Sequence, residues 1–306
     1  MASPTESHSA KHRRDMINPE LDSLFREAVS YIDAGQVSEL RSLLAANPHL
    51  TAERLESPGA WLRELVDGAL EGYFKAPYLL WFVAENPIRH ERLPVNIVEI
   101  TETILAAAQR EQWDSLQEQL DYTLGLVVTG RVPRESGMQL QLMDVLIDAG
   151  AAPGAAHGAL SGRNLEAAAQ LVKRGGELTL ATAICLDRDA DVDRLAKEAT
   201  ARDRQIALVA AALNGKARAL AKLLKLGVDI DAYSTGIHPH ATALHHAVDS
   251  GSLEAVKVLV EAGAKLDTRD KVYNGTPLDW AEHEGWGEIA DYLRERANSS
   301  LPQNSG

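Results

Sequence analysis

The residues with most chemical reach are His238, His240, His245 and His246, with His283 and Glu284 further along. A zinc site needs three or four such ligands converging within roughly 2 to 2.3 Å of one ion. Successive residues on a helix point about 100° apart, so His245 and His246 cannot easily share a metal. A run of carboxylates, Asp187, Asp189, Asp191 and Asp193, alternates with Arg188, Ala190 and Val192 in the manner of a cation loop. A calcium loop of the EF-hand kind requires Gly at its sixth position and Glu at its twelfth. Counted from Asp187 those positions are Val192 and Glu198, so the Gly is missing and helix-capping or surface carboxylates are expected. Cys185 lies in the apolar stretch Ala181 to Leu186, where a buried, inert thiol is expected. No G-x-S-x-G, phosphate-loop or dinucleotide pattern occurs, and Gly154 to Gly158 lacks a preceding strand. No catalytic residue, cofactor site or metal-ligand set is therefore assigned, and the chain is not expected to be an enzyme.

The elements that would position such groups must be built from a modest palette. The 306 residues are 45% hydrophobic, 25% charged and only 5% aromatic, a composition that favours closely spaced helices over a thick sandwich. Trp61, Trp81, Trp113, Trp280 and Trp286 are expected in the core or at caps. The net charge of −13 repels phosphate backbones and anionic lipid, which argues against nucleic-acid and membrane partners. The basic cluster Lys11-His12-Arg13-Arg14 sits in a polar N-terminal stretch and reads as a solvated tail. Cys185 is the only cysteine, which excludes an intrachain disulfide. Met1 to Pro19 has no apolar signal core, and apolar runs such as Tyr78 to Ala84 are too short to span a bilayer. A cytoplasmic location is expected.

Internal repetition organises the chain. Thr242-Ala243-Leu244-His245-His246-Ala247 recurs as Thr276-Pro277-Leu278-Asp279-Trp280-Ala281, with the two threonines 34 residues apart, as are Gly251 and Gly285. Gly215 and Gly227 precede Gly251 and Gly263 by 36 residues. In one copy, a first helix turns Leu244, Ala247 and Val248 inward at spacings of three and four. Gly251 ends it, and a second helix lines up Leu253, Val256, Leu259 and Val260. Gly263 ends that helix, and Lys265 to Tyr273 is expected to be an extended connection. Neither short helix can cover its own apolar stripe, so neighbours must stack.

The run T-A-L-H-H-A-V-D-S-G-S-L-E-A-V-K-V-L-V-E-A-G-A-K-L-D at 242–267 resembles an ankyrin repeat. Residues 275–293 resemble the closing repeat of such an array, and Ile206 to Ala232 is a third copy. Weaker echoes occur at Leu142–Ala151, Asn164–Gly175, Thr179–Ala199 and Ala34–Leu44. The resemblance implies an all-α ankyrin-repeat solenoid of stacked helix-turn-helix units with short β-hairpin-like connections and an irregular N-terminal helical part. It also implies that His245 hydrogen-bonds across neighbouring turns. Upstream, Pro77 to Ala84 is expected to be a first helix with Ile97 to Ala108 as its partner. Trp61 to Tyr73 and Trp113 to Leu126 look helical without repeat consensus. The expected organisation is a disordered tail at 1–18, an N-terminal helical part at 19–130, repeats at 131–297 and a second tail at 298–306, in one continuous array.

Repeats of this family present a concave face made from the connection tips and the exposed ends of first helices. Carried over by position, the helix ends are Leu213 and Asn214, Asp249 and Ser250, and His283 and Glu284. The tips are Tyr233, Ile237, His238 and His240 in one connection and Val272 and Tyr273 in the next. These residues are expected to bind a protein partner, with the chain acting as a monomeric scaffold, adaptor or inhibitor. Tyr233, Ile237, Val272 and Tyr273 have the aromatic or apolar character of interface anchors, unless they fold back over the adjacent connection. Asp249, Glu282 and Glu284 point to a basic or mixed patch on the partner. The alternative is a small-molecule- or metal-responsive sensor, with its site near Tyr73, Tyr78, Trp81 and Phe82 or at His238 and His240.

Overall fold

A computed structural model describes residues 19–299, in two compact units that meet in the chain at Pro153 and Gly154. The tail expected at 1–18 lies outside the described residues. Of the tail expected at 298–306, only Asn298 and Ser299 fall within them, as the end of the last helix.

In the N-terminal unit, α1 (Pro19–Ala34) turns Phe25, Ala28, Val29 and Ile32 inward, one helical stripe. It packs on α2 (Val37–Ala46), which is followed by a 3-10 turn at Pro48–Thr51. The stretch expected to be one helix over Trp61 to Tyr73 is instead α3 (Ala60–Val66) and a 3-10 turn, Asp67–Glu71, because Asp67 adopts a φ of 40° that no helix accepts. Leu79–Ala84 is likewise a 3-10 helix rather than the expected α-helix, and all six of its side chains are buried. The tighter winding distributes a run with no polar face in three directions into the core. It contacts α4 (Ile97–Glu111) and α5 (Leu116–Thr129), and α4 is the partner expected for it. A short α6 (Arg131–Glu135) leads to α7 (Gln139–Asp148), which packs on α4 and α5.

Two features hold the centre of this unit. Phe74 and Phe82 meet edge to face at 5.3 Å, while Trp81 stacks on Tyr122 at 4.1 Å. Beside them Arg89, with its side chain 2% exposed, pairs with Glu85 at 2.8 Å and Asp33 at 2.8 Å. Arg89 also donates to the Phe82 carbonyl at 3.0 Å. Buried charge is tolerated here because each member is both paired and hydrogen-bonded. Tyr78, Trp81 and Phe82 belong to this core, at 5%, 3% and 1% exposed.

The C-terminal unit is a run of helix pairs: α8 (His157–Ser161) with α9 (Leu165–Lys173), α10 (Leu180–Cys185) with α11 (Asp189–Glu198), α12 (Ala201–Leu213) with α13 (Ala217–Leu224), α14 (Ala243–Asp249) with α15 (Leu253–Glu261), and α16 (Pro277–His283) with α17 (Gly287–Ser299). First helices stack in order, α8 on α10, α10 on α12, α12 on α14 and α14 on α16. The threonine that precedes each of the four later first helices has a local purpose. Thr200 and Thr276 accept the backbone N–H three residues on, while Asp203 and Asp279 reach back to the threonine N–H. Gly251, at φ +71°, closes the α14–α15 turn, and a Cβ there would come within 3.0 Å of the Trp286 ring.

Among the described residues no strand forms; two isolated bridges mark the connections. The early repeats are trimmed, and the Glu177 N–H simply donates to the Gly154 carbonyl at 2.8 Å. The later connections are long. Tyr233 bridges Thr242, and the Lys271 N–H donates to the His240 carbonyl at 2.8 Å, tying one connection to the next.

Candidate partner-binding groove

Asp270 determines how the last connection is shaped. Its Oδ1 accepts the N–H groups of Val272 at 2.8 Å and Tyr273 at 2.7 Å. Its Oδ2 accepts the N–H of Gly275 at 2.8 Å and the Trp280 indole N–H at 3.0 Å. Burial works to raise this carboxyl, but the four donors outweigh it and bring the pKa down to about 2. The loop that carries Val272 and Tyr273 is therefore held from inside, leaving both side chains exposed, at 63% and 76%.

His245 ties this connection to the preceding helix. It is fully buried, its Nδ1 lies 2.8 Å from the Thr242 hydroxyl, and its Nε2 meets the Gly275 carbonyl at 3.1 Å. This is the cross-turn bonding that the family resemblance implied. Burial lowers the His245 pKa, which suits a neutral ring that donates on one side and accepts on the other. His246 is also buried, chiefly by which its pKa falls to about 3, and its Nε2 has no hydrogen-bond partner.

Above this framework lies a groove of about 510 Å³ lined by His238, His240, His246, Asp249, Tyr273, Gly275, Asp279, Trp280, His283 and Glu284. His240 sits 6.0 Å from Trp280 and 6.4 Å from Tyr273, and His238 is 5.7 Å from His246. The groove lining contains three carboxylates and no lysine or arginine.

Six of the twelve positions expected from sequence meet here: His238, His240, Asp249, Tyr273, His283 and Glu284. His238 is steadied by Ser161, whose hydroxyl lies 2.9 Å from its Nε2. Val272 is exposed on the same loop as Tyr273. Ser250 bonds back to the Ala247 carbonyl, and Asn214 donates to the carbonyls of Ala210 and Leu160. Two expectations of exposure are corrected. Leu213 is 1% exposed and Ile237 is 2% exposed, because this helix end and this loop tip turn their apolar side chains into the core. Tyr233 folds back over the adjacent connection, with its hydroxyl 2.6 Å from the Arg269 carbonyl and Lys271 Nζ 4.0 Å from its ring centroid.

Sequence reading did not place His246, Gly275, Asp279 and Trp280 in the partner-binding face, although His246 stood among the candidate metal ligands. Trp280 was expected in the core, and it is half-buried: its indole N–H bonds Asp270, the buried His245 ring packs against it at 5.1 Å, and it also lines the groove. The position of Trp280 on a first helix, one repeat after His246, was the available signal.

The other candidate chemistries have separate explanations. Asp187 pairs with Lys216 at 2.6 Å, Asp189 with Lys222 at 2.6 Å, and Asp191 with Arg188 at 2.8 Å and Arg194 at 3.0 Å, so the carboxylates are directed to different partners. Burial pushes the Cys185 thiol up to about 12, which leaves negligible thiolate. Among the described residues no group of three or more His, Cys, Asp or Glu is arranged to hold a metal. No described helix is long and apolar enough to cross a membrane.

A family model described as ankyrin repeats, in three copies, matches residues 136–270 and 208–303, together more than half of the 306-residue chain. Protein phosphatase 1 regulatory subunit 27 of Homo sapiens is 50% identical over 58 residues, which is 19% of this chain and 37% of that protein. Cyclin-dependent kinase inhibitor 2A of Homo sapiens is 39% identical over 61 residues, 20% of this chain and 38% of its own length. Cyclin-dependent kinase 4 inhibitor B of Homo sapiens is 43% identical over 51 residues, 17% of this chain and 36% of its own length. The chain thus spans little more than a third of the length of these curated relatives.

Proposed function

This chain belongs to the ankyrin-repeat family, and on that premise we propose that it is a regulatory protein-binding module: a scaffold, adaptor or inhibitor that performs no chemistry itself. The observation that carries the reading is the groove, where six surface positions from three successive repeat features converge around half-buried aromatic rings. Aromatic side chains held on a preshaped loop lose little freedom on binding, which is the usual source of interface anchors. The names of the relatives fit this reading, since one is a phosphatase regulatory subunit and two are kinase inhibitors. In this reading the chain works as a monomer in the cytoplasm, and its contact surface comprises the groove with Val272, while Asn214 and Ser250 sit at its edge.

The test places a benzophenone amino acid at position 273, and as a control at Val95, which is 89% exposed in the N-terminal unit. On irradiation in lysate of the source cells, a discrete protein adduct should form from position 273, be competed by excess unmodified protein, and be absent from position 95. If position 273 yields no adduct, or only those that position 95 also yields, the module reading fails.

A further inference from the structure

Resting on that reading, we propose that the groove is an arginine-capturing site: a partner's guanidinium inserts against the Trp280 ring and pairs with the carboxylates of Glu284 and Asp249. The charge pattern is the first argument. Asp249, Asp279 and Glu284 line the groove with no lysine or arginine among the lining residues. Asp279 is engaged by the Thr276 N–H and hydroxyl, both at 2.8 Å, and has Arg269 at 3.7 Å. Arg163 donates to the Asp249 carbonyl at 2.8 Å, and its guanidinium reaches the Asp249 carboxylate only at 3.9 Å. Glu284 forms no ion pair among the described residues and is exposed. Flanking guanidiniums thus reach Asp249 and Asp279 only at 3.9 and 3.7 Å, Glu284 has none, and no cation lies among the lining residues.

The rings are the second argument. Trp280 spends its only donor on Asp270, which fixes the indole edge and leaves the face as the part a ligand can use. Cations settle on such faces, tryptophan best of all, and a planar guanidinium also stacks flat against them. His240 stands at 32° to Trp280, so the two rings form a shallow wedge of the right flatness. His246, which also lines the groove, contributes no competing positive charge, since burial keeps it neutral, and its buried Nε2 has no hydrogen-bond partner. A lysine ammonium satisfies the carboxylates but cannot stack, which is why arginine is assigned.

The test uses the full chain and capped heptapeptides Gly-Ser-Gly-X-Gly-Ser-Gly, with X as arginine, citrulline, lysine or glutamate, followed by the Trp280 indole N–H resonance. The arginine peptide should shift that resonance and the Gly275 amide, and the neutral isostere citrulline should not. Glu284→Gln should weaken the arginine response about threefold, as expected for an exposed ion pair, and added salt should weaken it further. Asp249→Asn is the independent second variant, and both substitutions leave the buried framework untouched. Equal shifts from citrulline or glutamate, lysine binding as tightly as arginine, or no movement of Trp280 with any peptide would each overturn the assignment. Adducts that still form at position 273 while the arginine peptide fails overturn the arginine site alone; loss of the adducts themselves removes the module reading beneath it.

Discussion

Both units gather aromatic rings, and they use them in opposite ways. In the N-terminal unit Phe74, Trp81 and Phe82 are each no more than 3% exposed, and Trp81 stacks on Tyr122 at 4.1 Å. In the C-terminal unit His240 stands 6.4 Å from Tyr273 and 6.0 Å from Trp280, and all three rings line the groove. The difference lies in what fixes the backbone beneath them. Leu79–Ala84 has no polar face, so its rings must supply the packing that holds the segment. The loop at 270–275 is held by four donors to one carboxylate, which frees its rings from that duty. Aromatic residues are available for recognition where hydrogen bonds, rather than the rings themselves, determine the backbone.

The comparison can be broken most strongly from the N-terminal side. Phe82→Ala should cost about 4 kcal/mol, because a ring 1% exposed leaves a cavity among Phe74, Trp61 and Arg89. Hydrogen exchange should show protection lost at Leu80 and Val83 while Ala247 keeps its own. Equal loss at Ala247 would mean that the two ring clusters do not depend on separate supports.

Acid should act on the other side. His245 and His246 both have folded pKa values below the ordinary 6.5, the latter about 3, with burial as the leading cause. The unfolded chain then binds protons first, so their stabilisation is complete above pH 6.5 and is lost as pH falls from there toward 3. From His246 alone a loss of roughly 3 kcal/mol is expected by pH 4, read as falling exchange protection, corrected for intrinsic rates, at Leu244 and Ala247. Flat protection from pH 6.5 to 4 would contradict the buried neutral rings.

The smallest of these effects sharpens the contrast best. Asp270→Asn keeps the size but replaces one acceptor oxygen by an N–H₂ group facing donors, at a cost of about 2 kcal/mol. The Val272, Tyr273 and Gly275 amides should lose protection, and the Trp280 indole should gain solvent exchange. In the native chain the same carboxylate contribution is present above pH 4 and disappears as pH falls toward 2, because its folded pKa lies below the ordinary 3.8. An Asp270→Asn chain with an unchanged loop would show that the rings, not the carboxylate, hold it.

Much of the C-terminal unit is legible along the chain because its determinants are local. The 34-residue return of Thr242 at Thr276 reports a helix start, and Gly251 and Gly285 report turns, since caps and left-handed residues act within a few positions. Six of the groove residues follow from the same register. What periodicity could not report is how the non-periodic connections fold and what they cover. The burial of Leu213 and Ile237, the return of Tyr233 to the Arg269 carbonyl and the four bonds of Asp270 all depend on where a non-periodic loop lands. The same holds for Leu79–Ala84, where an apolar run looks alike as α-helix or 3-10 helix until the surrounding walls exist. Sequence by itself determined the helix pairs and the spacing of their stack, because backbone capping and apolar stripes are set within one turn. Tertiary structure alone decided which aromatic rings close a core and which stay open to a partner, because that choice rests on how a non-periodic connection folds around one carboxylate, which no helical or repeat spacing encodes.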